Sequence, residues 1–330
     1  MMILQFVAAF VVSAFVTAFV GLWLVPVLRR IKAGQMIRED GPVWHNNKQG
    51  TPTMGGIMFI VGILISILTV GISPMRNGDF SHLLIFNFAL VYGLIGYIDD
   101  YHKLKRKQNL GLRARHKFGF QLLMAVIFLF LLRQAGYLST QLYIPFVNAS
   151  LNIPIVIYFI FAAFVVVGTV NAVNITDGAD GLATGVSIPV SVCLTSIAVI
   201  WNFVAGGIFA AAMTGGLAAF LFFNFHPAKV FMGDIGSQFI GGAIAAIAFV
   251  MDMPLILLPL GFVFFVETMS DIIQVTYFKL TKGKRIFKMA PIHHHFEMLG
   301  WSEYKLFFVF TAVSALFSVI SFFGVINRFR

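Results

Sequence analysis

The chain is poor in charge: only 11% of its 330 residues are Asp, Glu, Lys or Arg, and its 13 acids are outnumbered by 38 phenylalanines. So few charges cannot cover a water-soluble globule of this length, which excludes the ordinary soluble classes. Cysteine is almost missing. The lone Cys193 sits in an apolar run, so no disulfide can form within the chain and the residue reads as a small buried hydrophobe. Short alternating strands are absent too, which argues for helices over an outer-membrane barrel. No linker, low-complexity tract or soluble module interrupts the pattern, so residues 1–330 read as a single integral membrane domain.

What the sequence does have is a series of uncharged stretches long enough to cross about 30 Å of hydrocarbon at roughly 1.5 Å per residue. Helices are expected near 3–28, 54–72, 82–98, 118–138, 153–172, 182–201, 205–224, 236–251, 254–278 and 305–326, giving an all-α polytopic membrane protein of about ten crossings. The first is too long for a signal-peptide core and has no basic residue before it, so it reads as an uncleaved helix. The uncharged run from Leu182 to Phe225 exceeds one crossing; Asn202 and Gly206-Gly207 offer the turn that divides it.

A net charge of +10 suggests nucleic acid at first sight, but its distribution fits membrane orientation better. Lys and Arg gather in the odd-numbered loops, and only Arg76, Arg133, Arg328 and Arg330 fall on the other side. The positive-inside rule therefore puts those loops in the cytoplasm and both termini outside. Among the acids only Asp79 and Asp252 fall outside. Charges beside hydrocarbon are costly, so acids concentrated on the cytoplasmic face point to chemistry there.

Several constellations sit on that face. The third helix runs into Asp99-Asp100-Tyr101, followed by His102, Lys103, Lys105, Arg106 and Lys107. Adjacent carboxylates repel, and Mg²⁺ with substrate phosphate oxygens, or nearby cations, would relieve them. The plainer alternative is a helix end whose acids form exposed ion pairs, worth at most about 1 kcal/mol each. Asn174, Asp177 and Asp180 share a Gly-containing turn and can accept hydrogen bonds from ribose or a base, or Asp180 can cap the next helix. In Asn224 through Ser237, the turn Gly233-Asp234-Ile235-Gly236-Ser237 exposes a carboxylate and backbone amides, suited to a metal-bound phosphate at a helix N-terminus. Phe231 beside it is either a stacking platform for a base or an ordinary apolar contact.

Pro291-Ile292-His293-His294-His295-Phe296 follows Lys282, Lys284, Arg285 and Lys288. Three successive histidines cannot all face one tetrahedral metal, so anion contact is the more natural reading. Glu267 and Asp271 lie four apart on one face of the ninth helix, where a polar cavity or partial exposure is implied. Between the first two helices, Lys48 and the turn residues from Gln49 to Gly56 suit an anion or simply a loop.

Together, Lys48-Gln49-Gly50-Thr51-Pro52-Thr53-Met54-Gly55-Gly56, Asp99-Asp100-Tyr101, Asn171 through Gly181, Phe231 through Ser237 and Pro291 through His295 resemble the bacterial phospho-MurNAc-pentapeptide transferases, the MraY family. That family lies within the polyprenyl-phosphate N-acetylhexosamine-1-phosphate transferases, and the likeness spans essentially the whole chain. The resemblance implies a multi-pass enzyme of the bacterial cytoplasmic membrane. It would move phospho-MurNAc-pentapeptide from UDP-MurNAc-pentapeptide to undecaprenyl phosphate with Mg²⁺, giving lipid I and UMP in the first membrane step of peptidoglycan synthesis.

By the same resemblance, Asp234 is the Mg²⁺ ligand, Asp99 and Asp100 orient the lipid phosphate or assist its attack, and His294 joins them as a catalytic residue. Lys48, Asn174, Asp177, Asp180 and Phe231 look like nucleoside-side contacts. Thr53, Asn224, Gly233, Ser237, Gln274, Ala290, His293 and His295 look like further pocket contacts, with Lys103 and Lys107 meeting phosphate. The family pattern also implies a broken ninth helix and a homodimer, and no nucleic acid partner. Direct attack is the favoured chemistry, with an aspartyl-phosphate intermediate as its rival. A sister enzyme that transfers GlcNAc-1-phosphate is the nearest alternative function. A lipid flippase or transporter would instead call for midplane charges or inverted repeats.

Overall fold

The computed structural model describes residues 1–31, 50–106 and 111–328. Eight helices are long and apolar enough to cross a membrane: α1 (Met2–Arg30), α4 (Ser81–Arg106), α5 (Ala114–Gln134), α6 (Ile155–Thr176), α7 (Leu182–Ile200), α8 (Val204–Asn224), α9 (Gly233–Val250) and α13 (Glu303–Val325). A further apolar stretch is broken. Pro254–Leu260, ending in the short helix α10 (Leu257–Leu260), meets α11 (Phe262–Leu280) at 80°. Pro259 and Gly261 flank the bend, where a missing N–H and a weak helix former interrupt the ladder. The expected broken ninth helix is therefore present.

Each of the ten expected stretches is helical, but α2 (Gly56–Val70) has only 15 residues and spans roughly 22 Å, short of the full hydrocarbon thickness. A short helix, α3 (Ile72–Arg76), follows it, and α12 (Ile292–Glu297) carries the histidine run.

Two expectations need correction. Strands are not absent: β1 (Gln141–Ile144) and β2 (Ala149–Asn152) form an antiparallel hairpin with Leu142 opposite Leu151. Four-residue strands with mixed polarity carry no periodic signal, and the pairing is fixed instead by the turn at Phe146 and Asn148, both at positive φ. The helix expected near 82–98, α4, also does not end before the acids. It continues through Asp99-Asp100 to Arg106, because Lys103 pairs with Asp99 one turn away and Lys103, Lys105 and Arg106 suit the negative end of the helix.

The buried centre of the molecule is α9, hydrophobic almost all round and packed against α4 and α6. Around it, α1, α5 and α13 turn large apolar side chains such as Phe15, Phe130 and Phe323 outward, as lipid-facing helices do. Where α2 meets α9 the backbones touch, and a Cβ on Gly56 would collide with Gly236 Cα. That contact fixes the entrance of α9, and with it Asp234, against the 50–56 segment. Gly55 N and Gly56 N also donate to the carbonyls of Phe231 and Met232 at 2.9 Å each.

Candidate active site

Helices α4, α6 and α8 end where α5, α7 and α9 begin, and at this one end of the bundle the acids converge. Asp99 and Asp100 come from the last turns of α4, with the carboxylate of Asp234 facing them from the first turn of α9. Two ammonium groups sit between these acids. Lys103 Nζ lies 2.6 Å from Asp99, 3.1 Å from Asp234 and 3.9 Å from Asp100. Lys117 Nζ, from the first turns of α5, lies 2.7 Å from Asp234 and 3.9 Å from Asp99.

The carboxylates are held at their other oxygens. Leu112 N donates to Asp99 Oδ1 at 2.7 Å, and Ile235 N donates to Asp100 Oδ2 at 3.1 Å. Asn174 Nδ2, at the end of α6, donates to Asp234 Oδ1 at 3.0 Å and to Ser237 Oγ at 2.8 Å. Both Asp99 and Asp100 are almost fully buried, and buried charges persist only in such paired networks. Gly233, at φ 72°, lets the chain pass between Asp100 and Thr53; a Cβ there would lie 2.5 Å from Asp100 Oδ2 and 2.8 Å from Thr53 Oγ1.

Asp177 follows α6 directly. Burial, and after it the neighbouring Asp234, Asp100 and Asp180, push its carboxyl well above the usual range, against the opposing pull of Lys103. Asp180 does not cap α7, whose N-cap is Gly181; its Oδ2 instead accepts from Ala228 N at 3.0 Å and lies 2.9 Å from His226 Nδ1. With Glu303, Asp180 and His226 bring possible ligand atoms within 4.8 Å of one another, a group able to hold a metal ion. Its imidazole suits a transition metal more than Mg²⁺, and the same contacts also read as a histidine clasp between two carboxylates.

Phe231 is half-exposed beside the acids, its backbone fixed by Pro52 O at 2.8 Å. Asn224 and Gln274 use their amides within the chain: Asn224 bonds Thr184 Oγ1 and Val230 O, while Gln274 clamps Ile286 N, Phe287 N and Phe287 O. The three histidines each have a different ring-nitrogen partner, although the His293 and His294 ring centroids lie only 4.1 Å apart. His293 Nδ1 meets Glu267 Oε2 at 2.9 Å, His294 Nδ1 meets Glu297 Oε2 at 2.6 Å, and His295 Nδ1 accepts from Lys288 N at 3.1 Å. Ala290 is half-buried in the loop that leads to them. Lys48 and Lys107 lie outside the described residues.

Lys117 was not singled out by sequence. A lone lysine among seven basic residues of one loop looks like orientation charge, and only the fold brings it to Asp234.

Residues 82–252 match the model of glycosyl transferase family 4, and residues 48–60 match the first phospho-N-acetylmuramoyl-pentapeptide-transferase signature. A phospho-N-acetylmuramoyl-pentapeptide-transferase of Caldanaerobacter subterraneus subsp. tengcongensis is 45% identical over 324 residues, covering 98% of this chain and 100% of the relative. The chain belongs to the phospho-N-acetylmuramoyl-pentapeptide-transferase family. Transferases of that name from Heliobacterium modesticaldum and Geobacillus thermodenitrificans are also 45% identical, over 98% and 95% of this chain and 97% and 96% of their own lengths. The family signature begins at Lys48 and includes Thr53, so it runs straight into the segment that packs on Gly233 and α9.

Proposed function

We propose that this chain transfers phospho-MurNAc-pentapeptide from UDP-MurNAc-pentapeptide to undecaprenyl phosphate, forming lipid I and UMP at the cytoplasmic face of a bacterial membrane. The observation that carries the reading is the meeting of Asp99, Asp100 and Asp234 around Lys103 and Lys117 at one end of an apolar bundle. A diphosphate needs concentrated cationic charge, and Lys103 and Lys117 supply it beside Asp234.

Mg²⁺ fits the donor set. Three carboxylates and the Asn174 carboxamide are the hard oxygens that this ion prefers, and they already surround two ammonium groups, so the focus of the site is built for positive charge. Asp234 would hold the ion, with Asp99 and Asp100 within reach of the same focus. When bound, it supplies charge neutralisation at the diphosphate oxygens.

The chain's own groups perform the rest. A phosphate monoester has a second pKa near 6, so the lipid phosphate is mostly a dianion at neutral pH and attacks without a strong base. Its oxygen bonds to the β-phosphorus of the UDP-sugar while the bond to the bridging oxygen breaks, and UMP departs with that oxygen. Lys103 and Lys117 neutralise charge developing on the leaving group. Asp99 and Asp100 each have an oxygen tied to a backbone N–H, which favours holding the nucleophile over becoming a covalent intermediate. Phe231 stacks on uracil, and Asn174, Asp177 and Asp180 lie on the nucleoside side. One membrane domain of ten crossings, with α2 and the broken α10–α11 stretch each counted once, both termini outside and two copies per assembly complete the reading.

The test is release of UMP by purified protein given UDP-MurNAc-pentapeptide, undecaprenyl phosphate and Mg²⁺. Release that stops with EDTA and resumes with Mg²⁺ is expected, and UDP-GlcNAc should not replace the donor. Folded protein that releases no UMP, or prefers UDP-GlcNAc, would overturn the assignment.

A further inference from the structure

Glu267 on α11 and His293 on α12 are both fully buried, and neither belongs to the carboxylate cluster. A lone carboxylate in such a place costs several kcal/mol unless it is paired. The pairing is specific: Glu267 Oε2 is 2.9 Å from His293 Nδ1 and 3.5 Å from the His293 backbone N. On the far side of the ring, His293 Nε2 is buried with no hydrogen-bond partner among the described residues. It faces Gly178, where even a Cβ would run into Nε2. Gly178 lies in the loop that carries Asp177 and Asp180. The contacts therefore run from the broken helix through one imidazole to the backbone between two acids of the site.

Which ring nitrogen of a histidine carries the proton is set by the bond the other one makes. A carboxylate accepts only, so Nδ1 beside Glu267 carries a proton, and in the neutral form of the ring this leaves a bare Nε2 turned toward the loop. We propose that Glu267 is a positioning residue of the transferase site. It fixes the orientation and tautomer of His293, and through that ring it sets the Asp177–Asp180 loop that receives the nucleotide half of the donor. The inference rests on the transferase reading for its kinetic consequence and on geometry alone for the state of His293.

Glu267→Gln keeps the size of the side chain but lets an amide offer either a donor or an acceptor to Nδ1. Loss of an outer partner of this kind lowers activity by roughly 10–100-fold. That loss should fall on the KM for UDP-MurNAc-pentapeptide, with the KM for undecaprenyl phosphate unchanged. Glu267→Asp should recover part of it, and in a His293→Ala background Glu267→Gln should cost almost nothing more. In ¹⁵N-histidine spectra, assigned by difference against His293→Asn, the wild-type ring should show a protonated Nδ1 and Glu267→Gln a mixture of tautomers.

Wild-type kinetics in Glu267→Gln, a loss that simply adds to that of His293→Ala, or an unchanged His293 spectrum would each overturn the proposal. If Glu267→Gln does not fold, Glu267→Asp in the two backgrounds decides by the same additivity. Wild-type protein that releases no UMP would overturn the transferase reading, while the spectra still judge the pairing.

Discussion

At the scale of single residues, Lys117 is the side chain whose role separates the structure most clearly from the sequence. It and Lys103 both contact Asp234 Oδ2, at 2.7 and 3.1 Å, so each carries part of the positive charge in the site. Removing one preorganised charge partner from a phosphoryl-transfer site costs about 10²–10³ in kcat. Lys117→Met should therefore lower UMP release by that factor while Lys117→Arg keeps more of it, and steady-state assays on the two variants check this. Asp99, Asp100 and Asp234 were legible because acids are rare in this chain and each stands beside an apolar helix. Lys117 was not, because basic residues in the same loop already have a reason to be there, namely membrane orientation. The partners of the histidines were equally hidden: Glu297 and Lys288 lie nearby in sequence, but Glu267 reaches His293 only after the broken helix has turned.

At the scale of elements, the geometry of the site depends on how α9 is seated. Gly56 and Gly236 let α2 and α9 meet backbone to backbone, and the 50–56 segment then bonds to the carbonyls of Phe231 and Met232, just before Asp234. Gly56→Ala would force the helices apart, and overpacking of this kind costs about 1–3 kcal/mol. The variant should unfold at lower temperature in detergent than the wild type, and its activity should fall further than its stability alone explains, because Asp234 moves with α9. Apolar length made most helices readable, and Pro259 with Gly261 suits the observed break. The β1–β2 hairpin escaped because its strands are shorter than any periodic window. The extension of α4 past Asp100 escaped because a helix that continues into charge looks, by hydropathy, like a helix that stops. At the opposite end of the bundle, Arg328 clasps Asp252 at 3.2 Å and lies over the Tyr143 ring at 4.6 Å, joining the last helix to the hairpin. Arg328→Gln should loosen that end, seen as faster hydrogen exchange in β1 and β2, and leave UMP release nearly unchanged.

At the scale of the whole molecule, the bundle has two chemically different ends, and the bilayer must know which is which. The carboxylate cluster lies at the same end as the basic loops 103–117 and 279–305, whereas Asn77, between α3 and α4, lies on the side with few Lys and Arg. The donor is a charged nucleotide sugar that cannot cross hydrocarbon, so the proposed reaction requires the basic end to open to the cytoplasm. Cysteine labelling separates the two orientations. Cys193 is buried with its thiol 3.1 Å from Ser318 O, so it gives little background with a maleimide. Asn77→Cys and Lys284→Cys both fall at exposed positions. On intact cells an impermeant maleimide should label Cys at position 77 and spare position 284, and permeabilisation should make 284 reactive. The reverse pattern would place Asp99, Asp100 and Asp234 on the outer face, where no nucleotide donor is made, and would exclude the proposed reaction regardless of how well the site is built.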